Sequence, residues 1–192
     1  VETELNVSGG VGADGQLDFD AEGRLDLRLT GGVFPQARSP NGRLDLLAHV
    51  AGPIAAPVLI GTGRLTGAGF TVKSAPVTFT GLTGDLAFSQ NRVLFDRLDG
   101  AANGGRVRLR GEVELQRLLP VAFRLEGEAD QVSVAMPVWL PATVSGRLEL
   151  NGRPEAMAMT GRLHVLRGRY SQNVDLERSL VEFRRQLAAP RA

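Results

Sequence analysis

A glycine followed by arginine and leucine returns at Gly23, Gly42, Gly63, Gly146 and Gly161, and looser copies stand at Gly84, Gly105 and Gly127. These glycines are spaced 19, 21, 21, 21, 22, 19 and 15 residues apart. A near-constant period of this size marks a repeat architecture, which limits the fold more than any other feature of the chain. After each glycine, apolar and polar side chains alternate: Leu25 and Leu27 against Arg24, Asp26 and Arg28, then Leu148 and Leu150 against Arg147 and Glu149. Period two means strands with one apolar and one polar face. About twenty residues hold two strands of roughly seven residues plus turns, so each repeat is expected to be one β-hairpin with its glycine at a bend. The whole would then be about sixteen strands stacked over about 75 Å.

Followed along the chain, the alternation assigns one face to Leu25, Leu27, Leu44, Leu46, Leu65, Phe70, Val72, Phe79, Leu86 and Phe88. It continues through Val107, Leu109, Val113, Leu115, Phe123, Leu125, Leu148, Leu150, Leu163 and Val165. Charge is balanced, 22 basic against 21 acidic residues, and dispersed along the polar positions, which excludes the basic stripe of a nucleic-acid binder. With no cysteine there are neither disulfides nor thiolate metal sites. The most apolar window, 46–61, is interrupted by His49, Pro53 and Pro57, too soon for a membrane-spanning helix. The chain starts at Val1 without a recognisable targeting signal, so any such segment is expected upstream.

Asp14-Gly15 is a hairpin signal. Strands are expected over 24–29 and 43–50, separated by a loop containing Pro35, Pro40 and Asn41-Gly42, and a linker or edge segment over 52–57. The cleanest alternation runs from Gly61 to Leu125. Two prolines flank Trp139 in a loop or strand edge over 136–141, where the tryptophan would plug one end of the apolar interior. From 175 to 188 the pattern changes: Leu176, Leu180, Phe183 and Leu187 recur at three- and four-residue steps, predicting an amphipathic helix that caps the β structure. The expected organisation is thus a repetitive β unit over 1–174, a helix over 175–188 and a tail over 189–192.

Signatures of chemistry are weak. His49 and His164 are the only histidines, each at an alternation position with no partner at ligand spacing in the sequence. Asp18 to Gly23 imitates the start of a calcium loop, but Leu29 stands where the bidentate acid is required. The glycines at Gly61, Gly63 and Gly67 resemble a dinucleotide loop, yet strand alternation continues where a helix should start. No nucleophile elbow, phosphate-binding lysine motif or paired carboxylates occur, so neither enzyme activity nor a metal or other cofactor is expected.

Three stretches resemble the TamB family, of the AsmA-like group of bridge-like lipid transfer proteins. They are Phe79 to Leu125, with Gly104-Gly105-Arg106-Val107-Arg108-Leu109-Arg110-Gly111; Gly146 to Tyr170, with Gly-Arg-Leu-Glu-Leu-Asn-Gly and then Thr160-Gly161-Arg162-Leu163; and Asn173 to Arg185. The resemblance implies an all-β fragment of a longer chain, an elongated sheet curled into a half-pipe whose apolar groove is lined by the residues named above, with a short C-terminal helix. It also implies a periplasmic location in a Gram-negative bacterium, with the full-length protein anchored to the inner membrane and contacting membrane. The implied function is glycerophospholipid transfer between inner and outer membranes through contact with acyl chains. A linked role is outer-membrane protein assembly beside a BamA/TamA-type barrel. The competing architecture is a closed β-sandwich whose two inner faces satisfy each other.

Overall fold

The structure, a computed structural model, describes residues 3–30, 37–73, 77–135, 141–153 and 156–168. The predicted helix over 175–188, the tail over 189–192 and Trp139 lie outside the described residues. Ten strands form one antiparallel sheet in strict chain order: β1 (Glu4–Val11), β2 (Gln16–Asp26), β3 (Ala37–Pro53), β4 (Val58–Val72), β5 (Thr78–Gln90), β6 (Arg92–Ala102), β7 (Gly105–Gln116), β8 (Leu119–Ala135), β9 (Pro141–Arg153) and β10 (Ala156–Gly168). The sheet is open: β1 and β10 are its two edges and do not pair with each other. There is no second layer among the described residues, so the sandwich alternative does not hold.

The repeat is therefore one long strand, except that β5 and β6 share a period, and not a hairpin of two short strands. Ten strands at about 4.8 Å give a sheet about 43 Å across, shorter than the 75 Å expected from sixteen. The repeat glycines are correspondingly not at bends. Gly23 lies inside β2, where a Cβ would sit 2.1 Å from the Glu4 carbonyl oxygen, and Gly84 lies inside β5, 2.1 Å from that of Arg97. At Gly23, Gly42, Gly84, Gly105, Gly146 and Gly161 a Cβ would run into the backbone of the neighbouring strand, while at Gly63 and Gly127 it would crowd the side chains of Leu44, Phe88 and Leu109.

Other expectations need correction. β2 ends at Asp26, and Leu27 to Thr30 form a short 3-10 turn, so Leu27 is not on the strand ladder. Asp26 stops the strand: its carboxylate accepts hydrogen bonds from the Arg28 backbone N–H (2.9 Å) and guanidinium, and its own N–H donates to Thr3 Oγ1 (3.1 Å). These bonds satisfy Asp26, the one buried charged residue among those described, and Arg28 holds its carboxyl below the usual range. Pro40 to Gly42 do not form a loop; they sit in β3 where its register against β4 shifts, a bulge that tolerates proline's missing donor. Residues 52–57 are not a linker but the end of β3, the turn into β4 (Ala56 N–H to the Pro53 carbonyl, 2.8 Å) and its approach. The Asp14-Gly15 turn stands as expected, between β1 and β2.

Bulges curve the sheet. Register shifts fall in β3 near Ser39 and Gly42, in β4 and β5 near Gly67 and Gly81, in β6 between Phe95 and Leu98, in β8 between Ala129 and Val132, and in β10 after Val165. These lie toward one rim, line up across the sheet and bend it there, while one further shift, between Glu114 and Leu115 of β7 against the start of β8, lies toward the opposite rim. Two are tied in the same way: the Gly67 N–H donates to Thr83 Oγ1 (3.1 Å), and the Gln131 N–H to Ser145 Oγ (2.9 Å). Beyond this line the face closes on itself. Ala68, Leu82, Ala102, Val107, Val132 and Val144 form one buried cluster, with Leu82 and Ala102 each 2% exposed. Phe70 and Phe79 pack against it with ring centroids 5.1 Å apart.

Candidate functional site

Cross-strand register brings the predicted apolar residues onto one face. Leu25, Leu44 and Leu65 are directly opposite one another across β2, β3 and β4, and Leu46 and Leu86 flank Gly63. Phe70 faces Phe79, Phe88 faces Val93, Val113 faces Phe123, Leu125 faces Leu150, and Leu109 and Leu148 flank Gly127. Val72 lies opposite Ala37, Val107 opposite Ala129, Leu115 opposite Pro120, Leu163 opposite Gly146 and Val165 opposite Val144. Only Leu27 departs, since it packs against the buried cluster from the 3-10 turn.

The same face also carries residues that simple alternation left out, among them Leu5, Val7, Leu82, Leu98, Val132, Met157 and Met159. Each bulge shifts the parity by one: Phe123 and Leu125 are odd, but past the β8 bulge the inward residues are Val132 and Val134. Along its length the face holds no charged residue among the paired positions; aliphatic and aromatic side chains, alanine and glycine make up nearly all of it, with Pro120 opposite Leu115 and one polar residue, Gln90, opposite Leu59 at the end of β5. Of the predicted residues Val107 is buried, Leu163 and Val165 are exposed, and the rest are half-buried. Such partial exposure across the central strands is that of a layer with no cover.

The opposite face is a set of charge rows. Glu4, Arg24, Asp45, Arg64 and Asp85 stand in register across β1 to β5, alternating in sign, with Arg24 to Asp45 at 3.2 Å and Arg64 to Asp85 at 2.8 Å. A second row runs Asp99, Arg108, Glu128 and Arg147 across β6 to β9, with Arg108 to Asp99 at 3.0 Å and to Glu128 at 3.7 Å. The carboxyls of Asp85, Asp99, Glu128 and Asp130 are held below their ordinary values, chiefly by hydrogen bonds from Arg64, Arg97, Arg147 and Arg106 respectively. Exposed pairs of this kind add little net stability; their consequence is register, because a slip of one residue would turn every arginine to the apolar side.

Two shallow concavities, of about 1000 and 760 Å³, are lined by these rows, the larger by the second row and the smaller by the first. A twisted sheet is saddle-shaped, so each face is hollow along one diagonal, and long arginine side chains deepen the hollows on their own side. The lining is mixed in sign, Arg106, Arg147 and Arg162 with Glu128, Asp130 and Glu149 in the larger, and therefore selects no single ion class. His49 is paired as sequence spacing could not reveal: its Nδ1 lies 2.9 Å from Asp20 and its Nε2 3.8 Å from Asp18, both on the adjacent strand. No cluster of three metal-binding side chains occurs among the described residues.

The chain matches the TamB C-terminal domain over residues 92–189, about half of its length, a span that begins at β6. It belongs to the TamB family. No match was found among curated proteins or among solved structures. TamB proteins form a membrane-associated transport and assembly module of the bacterial envelope that works with a TamA-type partner. In this TamB chain, no described helix is long and apolar enough to cross a membrane.

Proposed function

We propose that this chain is a section of a lipid-transfer conduit, carrying glycerophospholipids between the inner and outer membranes of a Gram-negative bacterium. In this reading it works in the periplasm, and the full-length protein is anchored to the inner membrane. The observation that carries the reading is the uninterrupted apolar face, half-exposed over its central strands and continuous across all ten. A phospholipid has on the order of thirty methylenes, and at about 0.8 kcal/mol each their exposure to water costs roughly 20 kcal/mol or more. A surface that touches the acyl chains throughout removes most of that cost without a tight site at any one point. The groove is about 43 Å long, more than the roughly 30 Å hydrocarbon core of a bilayer. Its lining is aliphatic and glycine-rich, and the alternation of large side chains with glycine leaves shallow gaps along the path.

Photoreactive side chains at Leu109 and Leu148, analysed by mass spectrometry of the adducts, test this. Phospholipid adducts are expected at both positions and not at Arg108 or Arg147 on the charged face. Polypeptide adducts with no lipid at the apolar positions would overturn it. The open edges at β1 and β10 favour a second reading, in which the chain assists outer-membrane protein assembly by pairing with client strands or a BamA/TamA-type barrel. Polypeptide capture at edge positions together with an empty apolar face is its signature.

A further inference from the structure

The two rims of the apolar face differ. At the rim where the bulges line up the face is sealed, since Leu82, Ala102, Val132 and Val144 are buried there. The opposite rim is made by the β3–β4, β5–β6 and β7–β8 turns, and there Ile54, Leu118 and Leu119 are exposed. At its centre the β5–β6 and β7–β8 turns lie side by side, tied by the Leu115 N–H to the Asn91 carbonyl (2.6 Å). Residues 89–92 and 115–119 of these turns contain Arg92 and Arg117 and no acid. Gln90, the polar residue at the end of the apolar face, belongs to the same group.

Arg117 stands apart from the arginines of the charge rows. Those of β4, β6 and β7, namely Arg64, Arg92, Arg97, Arg106, Arg108 and Arg110, all have carboxylate partners. Arg117 has neither an ion pair nor a side-chain hydrogen bond among the described residues, and Gln90 and Gln116 have no side-chain hydrogen bond there either. The backbone holds this arginine in a costly way. Arg117 and Leu118 are the two central residues of the β7–β8 hairpin loop, and both are left-handed, with φ +51° and +63°. Asn-Gly adopts that geometry easily, whereas a leucine rarely does. No hydrogen bond or ion pair of these two side chains among the described residues offsets the strain, and strain kept at an exposed, cationic tip points to a bound group that does.

We propose that this rim holds the headgroup phosphate of a phospholipid, with Arg117 as its charged contact and Gln90 and Gln116 as amide donors, while the acyl chains lie along the strands toward the buried cluster. The proposal rests on the lipid reading above and gives the lipid an orientation within it. From Leu115 at the rim to Leu109, the last half-buried residue before the buried Val107, β7 advances 115−109=6 residues, about 20 Å. An acyl chain of one bilayer leaflet spans about 15 Å, half of the hydrocarbon core, so it fits that width. The phosphate stays at the wet rim, which spares it the cost of burial, and a guanidinium there gives it charge-assisted hydrogen bonds. The sealed rim offers the chain ends an apolar wall instead.

Two phospholipid probes test this, one with a photoreactive group in its headgroup and one with the group at an acyl terminus. The headgroup probe is expected to label residues 90–92 and 116–119, and the acyl probe the apolar face around Leu109 and Val107. Arg117→Glu is expected to reduce headgroup labelling about tenfold, Arg117→Lys to keep most of it, and Lys73→Glu at the sealed rim to change nothing. An Arg117→Asn/Leu118→Gly double variant relieves the left-handed strain, so it is expected to melt at a higher temperature and yet to lose headgroup labelling about tenfold, a combination that a purely structural turn does not give. Headgroup label at the sealed rim or spread over both rims, indifference to Arg117→Glu, or displacement of the probe by glycerol phosphate alone would overturn the orientation, even with acyl label on the apolar face upholding the lipid reading. Absence of acyl label from the apolar face would sink that reading, and the orientation with it.

Discussion

Leu148→Arg separates an apolar conduit from a face that is apolar only for the sake of folding. Leu148 lies in β9 between Gly127 of β8 and Gly161 of β10, so no side chain opposite it competes for the space, and its Cδ2 lies 2.8 Å from where a Cβ on Gly161 would be. The leucine is half-buried, so its loss removes less than the full 1.5–3 kcal/mol of a buried leucine; about 1–2 kcal/mol is expected, and the arginine stem recovers part of it by lying along the face. The fold therefore survives. A passing acyl chain fares worse: with a guanidinium in its path it loses apolar contact over about four methylenes, roughly 3 kcal/mol, or about 10²-fold in occupancy at that point. The control is the adjacent residue. Glu149→Arg changes the charge by more but projects from the other face, opposite Glu126, where it relieves a like-charge pair. Transfer of fluorescent phospholipid between donor and acceptor vesicles, with the melting curve of each variant, is the assay. Leu148→Arg is expected to reduce transfer about 100-fold and Glu149→Arg to leave it unchanged. Wild-type transfer by a folded Leu148→Arg protein would refute the reasoning.

Two glycine substitutions should differ in cost for different reasons. Gly84→Ala places a methyl group 2.1 Å from the Arg97 carbonyl oxygen and is expected to cost about 2–3 kcal/mol in urea denaturation, while Gly67→Ala meets open space at φ +63° and should cost only about 1 kcal/mol. Asn103 has left-handed φ, accepts the Thr78 N–H (2.9 Å) and donates to the Ser133 carbonyl (2.8 Å), tying β5, β8 and the β6–β7 turn together; Asn103→Ala should lose about 2 kcal/mol by the same measurement. Acid should destabilise the sheet. Asp85, Asp99, Glu128 and Asp130 all have lowered folded-state pKa values, so the stability they contribute is fully present above the unfolded values, near pH 4, and is lost as pH falls through the lowered ones. The melting temperature is expected to be flat from about pH 5 to 8 and to fall below about pH 4; an increase on acidification would contradict the arginine pairings.

The face was legible in the sequence because a strand has a period of two, and period two survives any error in strand length. Alternation alone assigns Leu44, Leu65, Leu109, Leu125 and Leu148 to one side of their strands, and the strand register sets them on one face of the sheet. Strand number was not legible. A glycine that avoids a neighbouring carbonyl is spelled the same as a glycine that turns, and in sequence Gly23 and Gly84 are indistinguishable from the second kind. Bulges were hidden too: Pro40-Asn41-Gly42 looks like a loop, and Gln131 gives no local sign that the parity of β8 changes there. Leu27 departs for a different reason, since a hydrogen bond from the Arg28 N–H to the Asp26 carboxylate ends the strand inside an unbroken alternation. Pairings of His49 with Asp18 and Asp20, and of Arg24 with Asp45, need the register, and only the assembled sheet supplies it.

The two faces divide between them what a repetitive sheet has to specify. An apolar face of leucine, valine and glycine is tolerant of sliding, since a two-residue slip exchanges one leucine for another and keeps every apolar side chain inside. The first charge row is not tolerant, though the second is. Displacing β4 by two residues against β3 would move Arg64 from opposite Asp45 and set Thr62 or Thr66 there. In the β7 to β9 region the same slip would bring Glu126 or Asp130 opposite Arg147 while Arg106 or Arg110 took the place of Arg108. Register is thus weakest there, where charge repeats every second residue, and that is where the bulge tied by Ser145 occurs. A tied bulge cannot slide without breaking its hydrogen bond. Specificity therefore comes from the polar face and the bulges, and the apolar face is left free to be uniform, which the proposed passage of acyl chains along it would require.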